Sequence, residues 1–420
     1  MGFQQGLSGL NAAAQNLDVI GNNIANSNTV GFKQSNAQFA DVYARSLTGA
    51  VSESRGLGTR VSAISQQFSQ GNISTSSNPL DIAINGNGFF RMSDNGAVSY
   101  SRNGQFHLDK DGYIVNSDNL NLTGYPADDS GKIFNTTPAD LRISTAQLPP
   151  SSTTSFDLEI NLDSRVVIPT PLPAFSANDP TTYNGTTSGT VFDSLGNPHV
   201  FSMFFQKSAA NSWDLYATVD GASDIAGVPI GVTLGGAASQ ALTFDSNGAL
   251  TAPATPIAVS IDLATIDPTL GSTSPLDFTL DLSSATQFGT NFGVTSISQD
   301  GYSSGTLAGY TVSVEGFITG NYSNAETRTL GQIALANFTN PQGLTPIGDN
   351  LWLETAASGQ PVVGAPGTGV LGILKSSAVE DSNVDLTAEL VKMITTQRTY
   401  QANAKTIETQ DAVLQTLVNL

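Results

Sequence analysis

Few residues in this chain could do acid–base or nucleophilic chemistry. There is no cysteine among its 420 residues, which excludes disulfides and thiolate-held metals. The two histidines, His107 and His199, lie far apart in sequence. His199 follows Asp193 and Ser194 in "FDSLGNPH", but a triad is a matter of spatial geometry that one turn seldom supplies, so His199 reads as an exposed turn residue. "GTGVLG" (367–372) matches G-x-G-x-x-G, yet the following "ILKSSAVEDSN" has no helical period, and a dinucleotide fold needs a helix there. "DKDG" (109–112) resembles the opening of a calcium loop without its later ligands or closing Glu, so it reads as a hairpin turn. No P-loop, H-E-x-x-H or G-x-S-x-G occurs. The residues point to a protein that is no enzyme, without cofactor or metal.

The elements expected around these residues are helical at both ends and β between. Phe3, Leu10, Leu17 and Ile24 recur every seven residues, with Leu7, Ala14 and Gly21 between them, which predicts a heptad helix ending in Asn26-Ser27-Asn28. Leu386, Met393, Tyr400, Ile407 and Leu414 repeat the period at the other end, interleaved with Leu390, Ala404 and Val418. Ser382 and Asp385 before this helix suggest an acidic capping box. In between, "FDLEINLD" (156–163) alternates as a half-buried strand does. Asn-Gly and Asp-Gly pairs at 85, 95, 103, 111, 184, 220, 247 and 300 predict hairpin turns. The expected fold class is mixed, mainly β: two β domains, one inserted in the other, on a base of paired terminal heptad helices. The expected divisions are 1–28 with 384–420 (helical domain), 29–71 with 376–383 (connecting linker), 72–145 with 290–375 (inner β domain) and 146–289 (inserted outer β domain).

Charge narrows the partners. Only 12% of residues are charged and the net charge is −19, which argues against nucleic acid and an anionic membrane surface. No run of eighteen apolar residues appears. Residues 151–290 carry 13 acidic and 2 basic side chains, whereas 1–28 carry only Asp18. The Thr/Asn/Gly-rich texture looks extracellular, yet the first residues make a poor secretory signal, so export without a cleaved signal peptide is expected from the initiating Met1. The polar face of the N-terminal helix is Gln4, Gln5, Asn11, Gln15, Asn16, Asn22 and Asn23 where a solvated helix normally carries Lys and Glu. In a homopolymer each charge would face its own copies, while amides can both donate and accept, so this face suits a helix buried among identical helices.

"SGLNAAAQNLDVIGNNIANSNTVGFK" (8–33) resembles the N-terminal motif of the flagellar axial rod and hook family, with Asn22, Asn23, Ala25 and Asn26 in its amide turn and Thr29, Gly31, Phe32 and Lys33 in its exit. "EDSNVDLTAELVKMITTQRTYQANAKTIETQD" (380–411) is similar to the family's C-terminal helix, entered through Ser382, Asn383, Val384 and Asp385. Residues 84–125 and 299–344 resemble its shared β domain, and 191–221 resembles the outer domain of its hook members. The resemblance implies a structural subunit of a curved hollow tube, a universal joint carrying torque from rod to filament. It also implies passage through the flagellar type III export apparatus and contact with self, the distal rod protein, a hook cap protein and a hook–filament junction protein. The helices would form the tube core, with Phe3, Leu7, Leu10, Ala14, Leu17, Ile24, Leu386, Leu390, Met393, Tyr400, Ile407 and Leu414 between subunits. The segment 29–71, with Lys33, Arg45, Arg55 and Arg60, would wedge between neighbours. A distal rod protein, or a secreted β-rich adhesin on a coiled-coil base, are the alternatives; an adhesin calls for an exposed aromatic platform, and Trp213 and Trp352 sit singly.

Overall fold

The computed structural model describes residues 2–43, 56–128, 130–134, 137–168, 172–222 and 231–418. Arg45, Arg55 and part of the proline-rich stretch 168–175 lie outside them. The chain forms two compact units, one of residues 1–145, 309–321 and 327–420 and one of 146–308 and 322–326. The insert therefore runs beyond the expected 289, because Gly293–Gln299 hydrogen-bonds along Ser155–Asp163 as a strand of the insert's own sheet.

In the first unit the helices are Gly2–Ala25 and Leu386–Val418. The expected linker is a β-hairpin instead, Ser35–Tyr43 paired antiparallel with Gly56–Gln66. It lies on the N-terminal helix, where Gln5 Nε2 donates to the Gly56 carbonyl at 2.6 Å and the Thr59 amide to Ser8 Oγ at 3.3 Å. The strand Gly56–Gln66 shows no clean burial alternation, which is why its Ser/Gly-rich sequence reads as a linker. The main sheet interleaves strands from both flanks of the insert: Thr327–Ile333 pairs with Asn121–Pro126, and Leu351–Leu353 with Ala97–Ser101. Behind it Phe89, Tyr100, Phe338 and Trp352 meet edge to face, Tyr100 and Phe338 at 4.7 Å and Phe89 and Trp352 at 5.8 Å between ring centres.

The second unit packs two sheets face to face. One contains Val232–Leu234, Ile257–Ile261, Leu276–Asp281, Ser155–Asp163, Thr286–Phe288 and Gly293–Gln299; the other runs from Gly185–Phe192 through Pro198–Ala209, Ser212–Val219 and Gln240–Phe244 to Leu250–Ala252. Phe156, Leu158, Ile160 and Leu162 point inward as the alternation predicts and pack against Phe201, Phe205 and Phe278 of the shared core. Both tryptophans are buried; the Trp213 indole N–H donates to Gln287 Oε1 at 3.0 Å. Neither contributes to a surface platform.

A five-residue turn recurs. Asp109, Asp128, Asp193 and Asp245 each accept, through Oδ1, the backbone N–H groups two and four residues on. The fourth residue of each is a glycine in the left-handed region, with φ between 78° and 85°. "DKDG" is one of these turns. By contrast, Asn103-Gly104, Asn184-Gly185 and Asp300-Gly301 are not glycine turns of the expected kind. None of these glycines has positive φ, and at Gly104 and Gly301 the missing Cβ admits neighbouring atoms instead.

Two of these turns, at Asp193 and Asp245, and the carboxylates of Asp163 and Asp300 make the second unit acid-sensitive. The Asp163 carboxyl sits at about 2, held there by hydrogen bonds from Arg165. Asp193 and Asp300 are lowered although burial would raise them, because backbone and side-chain donors outweigh it, and Asp245 is lowered chiefly by the Ala249 N–H. Since the folded carboxyls ionise below their unfolded range, the unfolded chain binds more protons between pH 4 and 2 and stability falls as pH drops through that window. Thermal unfolding followed by Trp fluorescence should show Tm declining below pH 4, and less steeply in Asp245→Asn. An unchanged slope in that variant would contradict the assignment.

Candidate functional site: the junction of the terminal helices

The helices run antiparallel. Asn16 Nδ2 donates to Thr396 Oγ1 at 3.1 Å and Asn23 Nδ2 to Glu389 Oε2 at 3.1 Å, so the partner number falls as the first rises. The seam is made by small and polar side chains. A Cβ on Gly6 would lie 3.0 Å from Ile407 Cγ1, and one on Gly9 2.8 Å from Asn403 Nδ2. A helical glycine costs about 1 kcal/mol against alanine, and here it allows close approach. Ala12, Ala13, Val19 and Ile20 are the buried apolar residues of this helix. The expected heptad line is offset from that seam: Phe3 and Leu7 are exposed, and Leu10, Ala14, Leu17 and Ile24 are half-buried. On the C-terminal helix Leu386, Leu390, Tyr400 and Leu414 are exposed, and Met393 and Ile407 half-buried.

The amide face is divided. Gln4, Asn11, Gln15 and Asn22 face outward, whereas Asn16 and Asn23 bond within the chain. Asn23 is fully buried, and besides Glu389 it donates to the Ser35 carbonyl at 2.8 Å and accepts the Ser35 amide at 2.9 Å. An amide alone can make that two-way bond, which fixes the hairpin to the helix. Glu389 also accepts from Gln34 Nε2 at 2.7 Å and Lys392 Nζ at 2.6 Å.

The rest of the motif shapes the turn between helix and hairpin. Asn26 Nδ2 donates to Asn22 Oδ1 at 2.8 Å, and Thr29 Oγ1 to Asn26 Oδ1 at 3.1 Å, while Ala25 is exposed. Gly31 has φ +73°, and a Cβ there would sit 2.6 Å from the Asn103 amide nitrogen. Phe32 is buried. On the C-terminal side Asn383 accepts the Gln34 amide at 2.7 Å and donates to the Gln67 carbonyl at 2.7 Å. Asp385 caps the helix by itself, its Oδ1 accepting Thr387 and Ala388 amides at 2.9 and 3.1 Å. The expected box through Ser382 is absent: its hydroxyl accepts the Val384 amide, ahead of the helix.

Beneath this lies a buried charge cluster. Lys33 Nζ is 2.6 Å from Glu380 Oε1 and donates to the Ser69 carbonyl at 2.9 Å; Arg102 reaches Glu380 Oε2 at 3.2 Å and the Gly86 carbonyl at 2.7 Å. The Gly71 amide also donates to Glu380 Oε1. Burial lowers the Lys33 pKa, with the Arg102 charge acting the same way and Glu380 opposing both. Burial likewise lowers Arg102. Sequence reading singled out Lys33 for its motif and Glu389 as a first-turn acid suited to the helix dipole, but had no signal for Arg102, whose role depends on distant partners.

The titratable groups elsewhere give no reaction centre. His199 is buried on a strand rather than exposed in a turn, with Nδ1 2.7 Å from Asp220 and Nε2 3.6 Å from Asp193. Ser194 Oγ instead accepts the Thr273 amide. Among the described residues no cluster suits a metal ion.

Four family models match the chain in order: Flagella basal body rod protein over 3–33, Flagellar hook protein FlgE/F/G D1 domain over 83–174, Flagellar basal body protein FlaE D2 domain over 161–302, and Flagellar basal body rod FlgEFG protein C-terminal over 375–420. Those matches place it in the class of flagellar axial proteins, the rods and hooks. Flagellar hook protein FlgE of Salmonella typhimurium is 44% identical over 423 residues, covering all of both chains, and that of Escherichia coli is 43% identical over 424 residues with the same coverage. The Borreliella burgdorferi hook protein is 34% identical, covering 99% of this chain and 98% of its own. The chain belongs to the flagellar hook protein family and is a structural subunit of the hook. The crystal structure of Helicobacter pylori FlgE2 shares the fold at a TM-score of 0.54 and 15% identity, covering 73% of this chain and all of the other.

Replacing Glu380 by Leu should strand two buried cations and cost about 3–5 kcal/mol in urea denaturation, the range for breaking a buried pair from one side. Lys33→Met should cost less, because Glu380 keeps Arg102 and the Gly71 amide. Equal losses would mean that Lys33 and not Glu380 is the centre of the cluster.

Proposed function

We propose that the subunit polymerises through its terminal helices into a curved hollow tube outside the cell, a universal joint that passes torque from rod to filament. One observation carries this reading: apart from Val19, Ile20 and Ile407 the helix pair buries mainly amides and small residues in its own seam, and it leaves most of its large apolar side chains outside. Phe3 is 42% exposed, Leu7 43%, Leu386 46%, Leu390 44% and Ile394 51%. A helix pair meant to stand alone would bury these residues in the seam. Further copies of the same chain can cover them, with Phe3, Leu7, Leu10, Ala14, Leu17, Ile24, Leu386, Leu390, Met393, Tyr400, Ile407 and Leu414 between subunits.

The motif residues then serve geometry. Asn22, Asn23, Asn26, Thr29, Gly31 and Lys33, with Asn383 and Asp385, set the helix pair on the hairpin and inner sheet, so that torque reaches the β units through hydrogen bonds and a buried ion cluster rather than a loose tether. Export through the flagellar type III apparatus without a cleaved signal, and contacts with the distal rod protein, hook cap protein and hook–filament junction protein, follow from the same assignment. The role is structural rather than catalytic. Buried Trp213 and Trp352 leave an adhesin reading without its platform.

Full-length chain and a form lacking 1–28 and 384–420 should differ when light scattering is followed against concentration, with electron microscopy of the products. Only the full-length chain should make curved tubes. A discrete dimer or trimer from full-length chain would replace the polymer reading with an ordinary coiled coil.

A further inference from the structure

Two faces of the helix pair are available to another copy, and they differ. One is the apolar ridge described above. The other is a groove of about 450 Å³ between both helices and the hairpin, whose lining includes Gly9, Ala12, Phe39, Thr59, Thr399 and Asn403 and carries no charged side chain. Stepping 100° per residue from the seam line Gly6–Ala13–Ile20, Phe3, Leu7, Leu10 and Ala14 fall on one side, while Gln5, Gly9, Ala12 and Asn16 fall on the other. From the line Glu389–Thr396–Asn403, Leu386, Leu390, Met393 and Tyr400 turn in the first sense and Thr399 in the second. Because the helices are antiparallel, equal rotation senses bring both apolar sets to the same side of the pair. Ridge and groove therefore lie on opposite faces, and a chain cannot seat its own ridge in its own groove.

We propose that the ridge of one copy seats in the groove of the next, so that the tube core is built by a head-to-tail contact between two unlike faces. This rests on the reading that the terminal helices form the polymer core. Three observations select a second copy as the occupant. The chain is a hook subunit, so copies are its neighbours. The groove is uncharged in a chain of net charge −19, so an identical and equally acidic copy can approach it without like charges meeting there. Arg398 and Lys405 of the long helix lie opposite the seam, off both faces, while Glu408 and Asp411 fall on the ridge side, where an uncharged groove brings no like charge against them. Symmetry then separates the alternatives: ridge on ridge is isologous and closes as a dimer, whereas ridge in groove leaves a free face at each end and propagates.

The absence of native cysteine makes the test direct. Full-length chain carrying both Leu7→Cys and Thr399→Cys should, after assembly and mild oxidation, give a ladder of disulfide-linked multimers on a non-reducing gel. Each single variant should stay monomeric. Residues 7 and 399 face opposite ways, so a disulfide within one chain is excluded by its reach. A covalent dimer from Leu7→Cys alone, or tubes of the double variant without a ladder, would overturn the proposal. Independently, Thr399→Trp should fill the groove and raise the critical concentration for assembly about tenfold or more, a loss of about 1.4 kcal/mol per contact, with unchanged circular dichroism. Lys405→Trp, opposite the seam and off both faces, should leave it within about twofold. Equal critical concentrations for the two would reject the groove as a contact. If the unsubstituted chain forms no polymer at all, the assembly reading itself falls, an outcome distinct from tubes that lack this contact.

Discussion

One carboxylate organises the base of this molecule. Glu380 receives Lys33 from the exit of the first helix, Arg102 from the main sheet and the Gly71 amide from the end of the hairpin. Its own carbonyl accepts the Gly31 amide at 2.8 Å. Four chain segments up to 349 residues apart are thus tied through one side chain and its backbone. Two cations against one anion leave the cluster short of a charge, which cation–π contact of Arg102 with Phe89 and carbonyl acceptors partly offset. Such clusters add little net stability compared with a hydrophobic replacement, but they tolerate one geometry only. The cluster thus fixes the angle between helices and sheet more than it adds stability.

The second constraint is the choice of what the helix seam buries. An isolated helical hairpin is stabilised by large apolar residues between its helices, each worth about 1.5–3 kcal/mol when buried. Here glycine, alanine, asparagine and threonine occupy much of that place, so the pair is poorly stabilised by its own contacts and depends on the hairpin and on Asn23, Gln34 and Glu389 for position. The apolar area is thereby kept for contacts the single chain lacks.

That pattern was legible; its partition was not. The seven-residue period identified both helices, and the alternation of 156–163 identified a central strand, because local periodicity reports which face is apolar. It does not report what covers that face, so the seam, rotated from the heptad line by about 60° around the helix, came only from the fold. The hairpin at 35–66 was passed over because its Ser, Thr and Gly content resembles a linker, and its stability comes from the helix beneath it. The insert's boundary was missed for a related reason: Gly293–Gln299 is polar and exposed, and only its ladder to Ser155–Asp163, more than 130 residues away, assigns it to the second unit. Asp385 was found, but as the wrong member of a cap, since Ser382 and Asp385 fit the spacing equally well on paper. His199 shows the same limit, since its burial depends on Asp220, which sequence does not bring near.

The threonines of the long helix satisfy their hydroxyls within the helix itself. Thr395, Thr399, Thr406, Thr409 and Thr416 each donate their hydroxyl to a carbonyl of the preceding turn. Such back-bonding is mildly unfavourable in a solvated helix, and β-branched residues lower its propensity. Its effect is that each hydroxyl already has an acceptor, so covering this surface leaves no threonine donor unpaired, which would cost about 1–3 kcal/mol each. A surface so prepared makes few directional bonds across the contact, and contacts without directional bonds can shift in register at small cost. The long helix therefore satisfies its threonines along its own backbone, while the junction with hairpin and sheet is held by bonds between segments, so the two parts of the chain differ in how firmly their geometry is set.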